Sequence, residues 1–486
     1  MSLRLLGREA AVYGIGSMCM RGVAFVLTPI YTHGLSIEDY GRLSTLLLTT
    51  QILIMVMGMG SRTAFVRFAA DFQNRNRLGH LFTSSILVNL FGGLVVGGLA
   101  ISLFTPLLQG VLHTEDVFEI LAFACLAAMC QSFFEHVLAY YRTANESLKF
   151  VLVGISETVL SFGINVWFLF GLHLGIKGVL MVQALTDGML GLFVMLDFFS
   201  RNRIEVSMAV VWQVFRFGFP LIFVMSGTMV AEAGAVYLLS HFGDLKQVAI
   251  FSLANKVSQI AAMVLLMPFQ LAYEPFVYSN INTPGIQATI SRVLTCLMLS
   301  YAFVAFAIVF VFRDIFPFIA PPEYFSAYHV VFLILPFLAF KGVFLIGQSL
   351  LHIMNKTNVT GIWVSFFAAI SLLLNYLIVP RWGMAGTIAV INTTSVALAI
   401  VVMFLGIRAF PIKLEIGRLV EVGLVAAGLL LAVFHMREAE VYVYYTVVPS
   451  FALATAVTLY ISGFFDDQEA RFIRGLFYRV GIRAPS

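Results

Sequence analysis

The stretch Ala10–Leu35, AAVYGIGSMCMRGVAFVLTPIYTHGL, is long and apolar enough to cross a bilayer, yet it carries Arg21 near its middle. At about 1.5 Å per residue, Arg21 stands roughly 16 Å along such a helix, near the midplane of a hydrocarbon core about 30 Å thick. A charge at that depth costs about 2.5–3.5 kcal/mol on insertion scales. The arginine is therefore expected to face a polar interior or a water-filled cavity, which the rest of the chain must supply.

The composition agrees with a membrane setting. Of 486 residues 60% are hydrophobic and only 11% are charged, where soluble domains carry about 25% charged residues. Mean hydropathy is +0.96. These values exclude a soluble globular domain and define an all-α polytopic membrane protein. The net charge of +4 and pI near 8.8 do not indicate nucleic acid, because in such a chain the positions of the basic residues matter more than their sum. Cys19, Cys125, Cys130 and Cys296 lie inside apolar runs, without metal-ligand spacing or a disulfide framework. The N-terminus, MSLRLLGREA, places basic residues before a run too long for a cleaved leader, and reads as a retained signal anchor.

Apolar runs place spans near residues 10–35, 40–61, 79–107, 117–141, 150–172 and 176–199. A second set follows near 215–240, 247–278, 286–312, 325–354, 357–379 and 384–406, with a last pair near 415–435 and 441–464. That is about fourteen helices: a six-helix lobe over 1–200, a second over 201–408, an extra pair over 409–464 and a tail over 465–486. With the N-terminus cytoplasmic, 20 of the 29 Lys and Arg fall on the cytoplasmic side and six on the outer side: Arg42, Lys177, Lys246, Arg313, Arg381 and Arg437. This bias follows the positive-inside rule and puts both termini in the cytoplasm. The tail, DDQEARFIRGLFYRVGIRAPS, alternates basic and aromatic residues, as would either a surface amphipathic helix or a plain positive-inside end.

The chain also repeats itself. Ser44 and Gln51 match Ser252 and Gln259 at an offset of 208, and Asn145 and Asn165 match Asn355 and Asn375 at 210. The hairpins Leu174-Gly-Ile-Lys-Gly178 and Trp382-Gly-Met-Ala-Gly386 return to 208. An even number of spans per copy gives parallel repeats about an axis along the membrane normal, with a substrate cavity expected between the bundles.

Three cations remain inside spans, Arg21, Lys256 and Lys341, contributed by both halves. If they converge, they form a positive lumen suited to an anionic head group such as pyrophosphate, with Arg able to clamp phosphate bidentately. Among acids, Glu135, Glu157, Asp187 and Glu232 could take up H⁺ or Na⁺ or balance the cations, and either role satisfies the physics. Glu274 precedes Pro275 near a span end and reads as a boundary residue. The outer loop Ser36-Ile-Glu-Asp-Tyr-Gly41 contains paired carboxylates, but Ser36 and Asp39 have the spacing of a helix cap, which explains them without chemistry. His33, His113, His173, His241 and His329 scatter singly and suggest no metal site, and the sequons at Asn145, Asn358 and Asn392 are chance matches. Pro29, Pro220, Pro268 and Pro336 lie in or near spans as candidate kinks.

The order of short motifs carries a resemblance. Leu35-Ser-Ile-Glu-Asp-Tyr-Gly41, Arg67-Phe68, Tyr141-Arg-Thr143, Gly175-Ile-Lys-Gly178 and Phe215-Arg-Phe-Gly-Phe-Pro-Leu221 resemble, in that succession and over nearly the whole chain, the polysaccharide transporter (Wzx-type flippase) branch of the multidrug/oligosaccharidyl-lipid/polysaccharide exporter superfamily. The resemblance implies two six-helix lobes and two extra C-terminal helices. It further implies a non-enzymatic flippase of the bacterial inner membrane that moves an undecaprenyl-pyrophosphate-linked oligosaccharide outward by alternating access. Expected partners are that lipid-linked sugar, the membrane lipids, H⁺ or Na⁺ as coupling ion and polysaccharide polymerase machinery, with no cofactor and no nucleic acid. Arg21, Lys256 and Lys341 are where this sequence offers the basic lumen residues of the family. Two other readings are a multidrug or cation antiporter, which would favour acids in the cavity, and a membrane glycosyltransferase or polymerase using Glu38 and Asp39.

Overall fold

Within hydrocarbon no water is available to backbone N–H and C=O groups, so apolar runs of this length satisfy them internally as helices. The computed structural model describes residues 25–74, 77–144, 146–354, 356–436, 441–461 and 464–465, and among them there is no strand. Residues 25–34 form the described part of α1. There follow α2 (Ile37–Met57), α3 (Ser61–Asn74), α4 (Leu78–Leu112), α5 (Val117–Thr143), α6 (Ser147–Val166), α7 (Gly175–Arg201), α8 (Met208–Phe242) and α9 (Leu245–Ala261). The chain continues with α10 (Met267–Asn280), α11 (Ile286–Ile319), α12 (Ser326–Ile353), α13 (Thr357–Ala409), α14 (Ile416–Met436) and α15 (Val441–Ile461). Eleven helices among the described residues are long and apolar enough to cross a membrane.

Two short π-helical turns occur: Trp167–Gly171 ends the α6 span, and Ala262–Leu266 lies inside the span that joins α9 to α10. The 53 residues of α13 would extend about 80 Å as one rod. They instead divide at Gly383, whose φ of 52° and ψ of −135° are non-helical. Its counterpart in the sequence repeat, Gly175, opens α7 with φ 57°. The two copies of the hairpin thus turn on the same left-handed glycine, which a side chain would oppose.

The first of two compact units comprises residues 1–257, 316–330 and 356–398. Its core is aromatic. Phe82 of α4 stacks on Phe198 of α7 at 3.8 Å between ring centroids, with Tyr140 edge-on at 4.8 Å from Phe198. Polar side chains are also enclosed: Thr45, Thr50, Ser84, Ser85, Asn89 and Ser132 are all buried, while Phe91, Leu94, Leu103, Phe193 and Leu196 stand exposed. An apolar surface over a partly polar interior is what a lipid solvent selects, since lipid offers no driving force to hide leucine and every reason to hide a hydroxyl.

One sequence expectation changes here. No helix is expected between the spans near 40–61 and 79–107, but the chain turns at Met59 and Gly60, with φ 46° and 64°, and winds into α3. Ala64, Phe65 and Ala69 face inward from α3 while Arg62, Arg67 and Asp71 stay exposed. Fourteen residues are too few to cross a membrane, so hydropathy alone does not reveal this helix.

The second unit comprises residues 258–315, 331–355 and 399–486. Its core joins Leu266, Tyr273, Ile290, Leu294, Leu350 and Met403. A smaller cluster of Leu299, Val422, Leu459 and Phe464 holds α14 and α15 on α11, supplemented by Tyr444 donating to the Phe310 carbonyl at 3.1 Å.

Candidate functional site

The described interior of the first unit gathers acidic and amide groups around α6 and α7. Asp187 lies twelve residues into α7, about 18 Å along it, and is 3% exposed. Glu157 lies ten residues into α6, about 15 Å along it, and is half-buried, with the Thr158 hydroxyl donating to its Oε2 at 3.2 Å. Glu157 and Glu135 both act electrostatically on Asp187, so these carboxylates share one region. Tyr31 of α1, also buried, brings its hydroxyl into range of Glu157 and Asn165. Neither Asp187 nor Glu157 has an ion pair to a basic side chain among the described residues. An uncompensated carboxylate at that depth is expensive, so a proton or a small cation would be its natural partner.

Asn165 adds an acceptor. Its Nδ2 donates to the Ser161 carbonyl at 2.8 Å and lies 3.3 Å from the Ser161 hydroxyl, while its buried Oδ1 has no hydrogen-bond partner among the described residues. The second copy of the repeat does the same: Asn375 Nδ2 meets the Ser371 carbonyl at 2.8 Å and its hydroxyl at 3.4 Å, again with Oδ1 unpartnered. No carboxylate stands at the Asp187 or Glu157 position in that copy, since residues 395 and 367, 208 and 210 further on, are Ser395 and Phe367.

The remaining acids are already engaged. Glu135 forms an ion pair with Arg62 of α3. Glu232 is exposed and accepts from Asn255 Nδ2 at 3.3 Å, and Glu274 accepts from Gln270 at 3.1 Å. Of the four acids singled out from sequence, the structure thus brings Asp187 and Glu157 together with no basic partner among the described residues, puts Glu135 against an arginine and sets Glu232 apart with an amide.

Arg21 lies outside the described residues. Lys256 sits eleven residues into α9, about 16 Å along it, half-buried, with no ion pair among the described residues. Lys341 of α12, in the second unit, is exposed and 3.5 Å from Gln259 Oε1.

The paired carboxylates Glu38 and Asp39 have structural duties. Ser36 caps α2, accepting from the Asp39 amide at 3.1 Å and donating to Asp39 Oδ2 at 2.9 Å. Asp39 also pairs with Arg42 at 2.7 Å, and Arg42 in turn donates to the Leu112 carbonyl at 2.9 Å. Glu38 faces Lys246 at 3.9 Å. Lys177 pairs with Asp116 and Glu119. At this end of the unit Arg42, Lys177 and Lys246 are each matched by an acid.

Sequence reading passed over His136 of α5. It is completely buried, with Nδ1 3.2 Å from the Ser61 hydroxyl and Nε2 2.9 Å from the Ser85 hydroxyl. A single histidine inside a span, next to Glu135, was the signal available. With both ring nitrogens held by serines and Phe65 and Phe82 beside it, the imidazole pins α3 to α4 and α5. Among the described residues no group of three or more His, Cys, Asp or Glu could hold a metal ion.

Comparison with known proteins adds the family. The chain is similar over 94% of its length to a solved structure of the lipid II flippase MurJ in an inward closed conformation, with a TM-score of 0.75, 10% identity and all of that chain covered. It is also similar to an inward-facing multidrug resistance MATE family transporter of the MOP superfamily, with a TM-score of 0.65, 14% identity, 81% of this chain and 94% of that one covered. A Haemophilus influenzae protein described as an uncharacterized membrane protein is 19% identical over 294 residues, 58% of this chain and 67% of its own length. The family model described as polysaccharide biosynthesis protein matches residues 6–279, more than half of the chain. The chain therefore belongs to the polysaccharide biosynthesis protein family, as a multi-pass membrane protein with the fold of the MOP-superfamily transporters.

Proposed function

We propose that this protein is a transporter that flips an undecaprenyl-pyrophosphate-linked oligosaccharide across the bacterial inner membrane by alternating access, for cell-surface polysaccharide synthesis. The family description and the shared fold with a lipid II flippase support this reading. The observation that carries it is Lys256: a cation at mid-span depth, without an acidic partner among the described residues, calls for an anionic ligand. Arg21 and Lys341 are the proposed companions of Lys256 at the pyrophosphate. Asp187 and Glu157 are the proposed coupling residues, taking up H⁺ or Na⁺, with Glu135 and Glu232 further out. The fourteen-span topology counts α1, α8 and the second limb of α13 beside the eleven qualifying helices. In it, lobes 1–200 and 201–408 precede the pair 409–464 and the tail 465–486, and both termini are cytoplasmic. Polysaccharide polymerase machinery is the proposed downstream partner.

Alanine at Arg21, Lys256 or Lys341, in cells that keep normal levels of folded protein, is expected to trap lipid-linked sugar on the cytoplasmic side. Normal surface glycan in all three variants would overturn the cation role. Asp187 and Glu157, which have no ion pair to a basic side chain among the described residues, favour a second reading, a multidrug or cation antiporter. Deletion distinguishes the two: loss of surface glycan supports the flippase, whereas changed drug susceptibility with normal glycan supports the antiporter.

A further inference from the structure

The linker between α7 and α8 turns its apolar side outward. Its flanking residues Asn202 and Ser207 have extended backbones, with φ/ψ of −128°/148° and −131°/117°. From 204 to 208 the side chains alternate in burial, as those of an extended segment do. The inward side is polar: Glu205 Oε2 lies 2.7 Å from His80 Nδ1. Ser207 donates its amide to the Ser84 hydroxyl at 3.3 Å, and its carbonyl accepts from the same hydroxyl at 3.4 Å. The backbone also lies directly on α4, since a Cβ at Gly79 would stand 2.4 Å from the Arg203 carbonyl oxygen. The outward side carries Ile204, Val206 and Met208, 67%, 54% and 76% exposed, continued one turn into α8 by Trp212 at 62%. In water the same period-2 pattern puts its apolar residues inward and its polar ones outward.

Depth identifies the apolar medium. The 35 residues of α4 measure about 52 Å, so a helix centred on a core about 30 Å thick extends about 11 Å beyond it at each end. His80 then stands about 3 Å from the start of α4 and Ser84 about 9 Å, close to the core boundary. Glu205 and Ser207, clasped to them, therefore cross the head-group layer. At the other end Ser240 donates to the Val111 carbonyl at 2.6 Å, so α8 runs beside α4 in the same direction and Trp212 lies a turn deeper than Met208. Indoles concentrate at that level of a membrane. A second protein fits the strip poorly: from Ile204 to Met208 it is about 13 Å long and one side chain wide. Stable protein interfaces take about 800 Å² from each partner.

We propose that the α7–α8 linker is a strap resting in the membrane surface. His80 and Ser84 hold its polar edge on α4, and Ile204, Val206, Met208 and Trp212 sink into the phospholipid at the boundary between head groups and acyl chains. The strap joins the two copies of the sequence repeat, so their connection is an element fastened to α4 and seated in lipid, not a free aqueous tether. It involves neither Lys256 nor the acids of α6 and α7, and it stands whether or not the flippase reading does.

The test uses the full chain in phosphatidylethanolamine–phosphatidylglycerol vesicles, with Cys19, Cys125, Cys130 and Cys296 replaced by alanine and a nitroxide attached at Ile204→Cys or Val206→Cys. Both labels should collide more often with oxygen, which partitions into lipid, than with a water-soluble nickel chelate. With Trp212 as sole tryptophan, after Trp167, Trp363 and Trp382 are replaced by phenylalanine, lipids brominated near the head group should quench its fluorescence more than iodide does. Ser84→Ala with Glu205→Gln releases the polar edge and should raise the mobility of both labels. Trp212 quenching should stay as it was, which separates a freed strap from an unfolded protein. More nickel than oxygen collisions at either label, spin–spin broadening between two copies, stronger quenching of Trp212 by iodide, or unchanged label mobility in the released variant would each overturn the proposal.

Discussion

The backbones of Gly60 and Gly218 touch. A Cβ added to Gly60 would stand 2.6 Å from the Gly218 carbonyl carbon, and one added to Gly218 would stand 2.8 Å from that of Gly60 and collide with the Met59 carbonyl oxygen. Thus the turn between α2 and α3 meets α8 with no side chain between, and small residues at such a contact let two helices approach closely. Gly218→Ala has no room unless the segments separate. Overpacking of this kind costs about 1–3 kcal/mol. The expected outcome is a lower melting temperature in detergent together with faster cross-linking loss between cysteines placed at 63 and 215, and an unchanged melting curve would refute the contact.

Gly175 and Gly383 share a left-handed φ but not a neighbourhood, which makes their alanine variants a controlled pair. Nothing lies within 4 Å of a Cβ at Gly175, whereas a Cβ at Gly383 would stand 2.6 Å from Gln247 Oε1, the acceptor of the Met384 amide at 2.8 Å. Gly175→Ala should therefore cost only the backbone penalty of about 1–2 kcal/mol. Gly383→Ala should cost more, because it also displaces Gln247 and orphans an amide, and Gln247→Ala should remove most of the difference between the two. Thermal unfolding of the three variants measures this directly.

Asp187 and Glu135 should separate coupling from support. Asp187→Asn is expected to fold and to lose ion-dependent transport in proteoliposomes, since buried Asp187 has no ion pair to a basic side chain among the described residues. Glu135→Gln is expected to keep transport and lose at most about 1 kcal/mol of stability, because the Arg62–Glu135 pair is 49% and 36% exposed and such pairs contribute little. Equal transport in both variants would remove Asp187 from the coupling role.

Much of this was legible in the sequence, for definable reasons. The Ser36 cap was readable because caps are local, and the hairpins at Gly175 and Gly383 and the Asn165 and Asn375 pair because duplication preserved both residue and spacing. The partner of Glu135 was not readable. Arg62 reaches it only because positive φ at Met59 and Gly60 folds α3 back, and neither hydropathy nor charge counting registers such a turn.

The ends of α5, α6 and α7 meet in a four-charge network whose pH response has a defined sign. Glu146 accepts from Lys149 and Arg201, both at 2.7 Å, while Asp197 takes Arg201 at 2.9 Å and the Tyr141 hydroxyl at 2.9 Å. Lys149 foremost, and Arg201 with it, hold the Glu146 carboxyl below the usual glutamate range. A group whose pKa is depressed on folding stabilises the folded state above its unfolded pKa and loses that contribution as pH falls through the folded value. Thermal stability of the wild type should therefore drop as pH is lowered through the carboxylate range, and Glu146→Gln should begin lower at neutral pH and show a shallower drop. Parallel curves for the two proteins would show that the network carries no pH-linked stability, and the loss would have to be sought in other carboxylates.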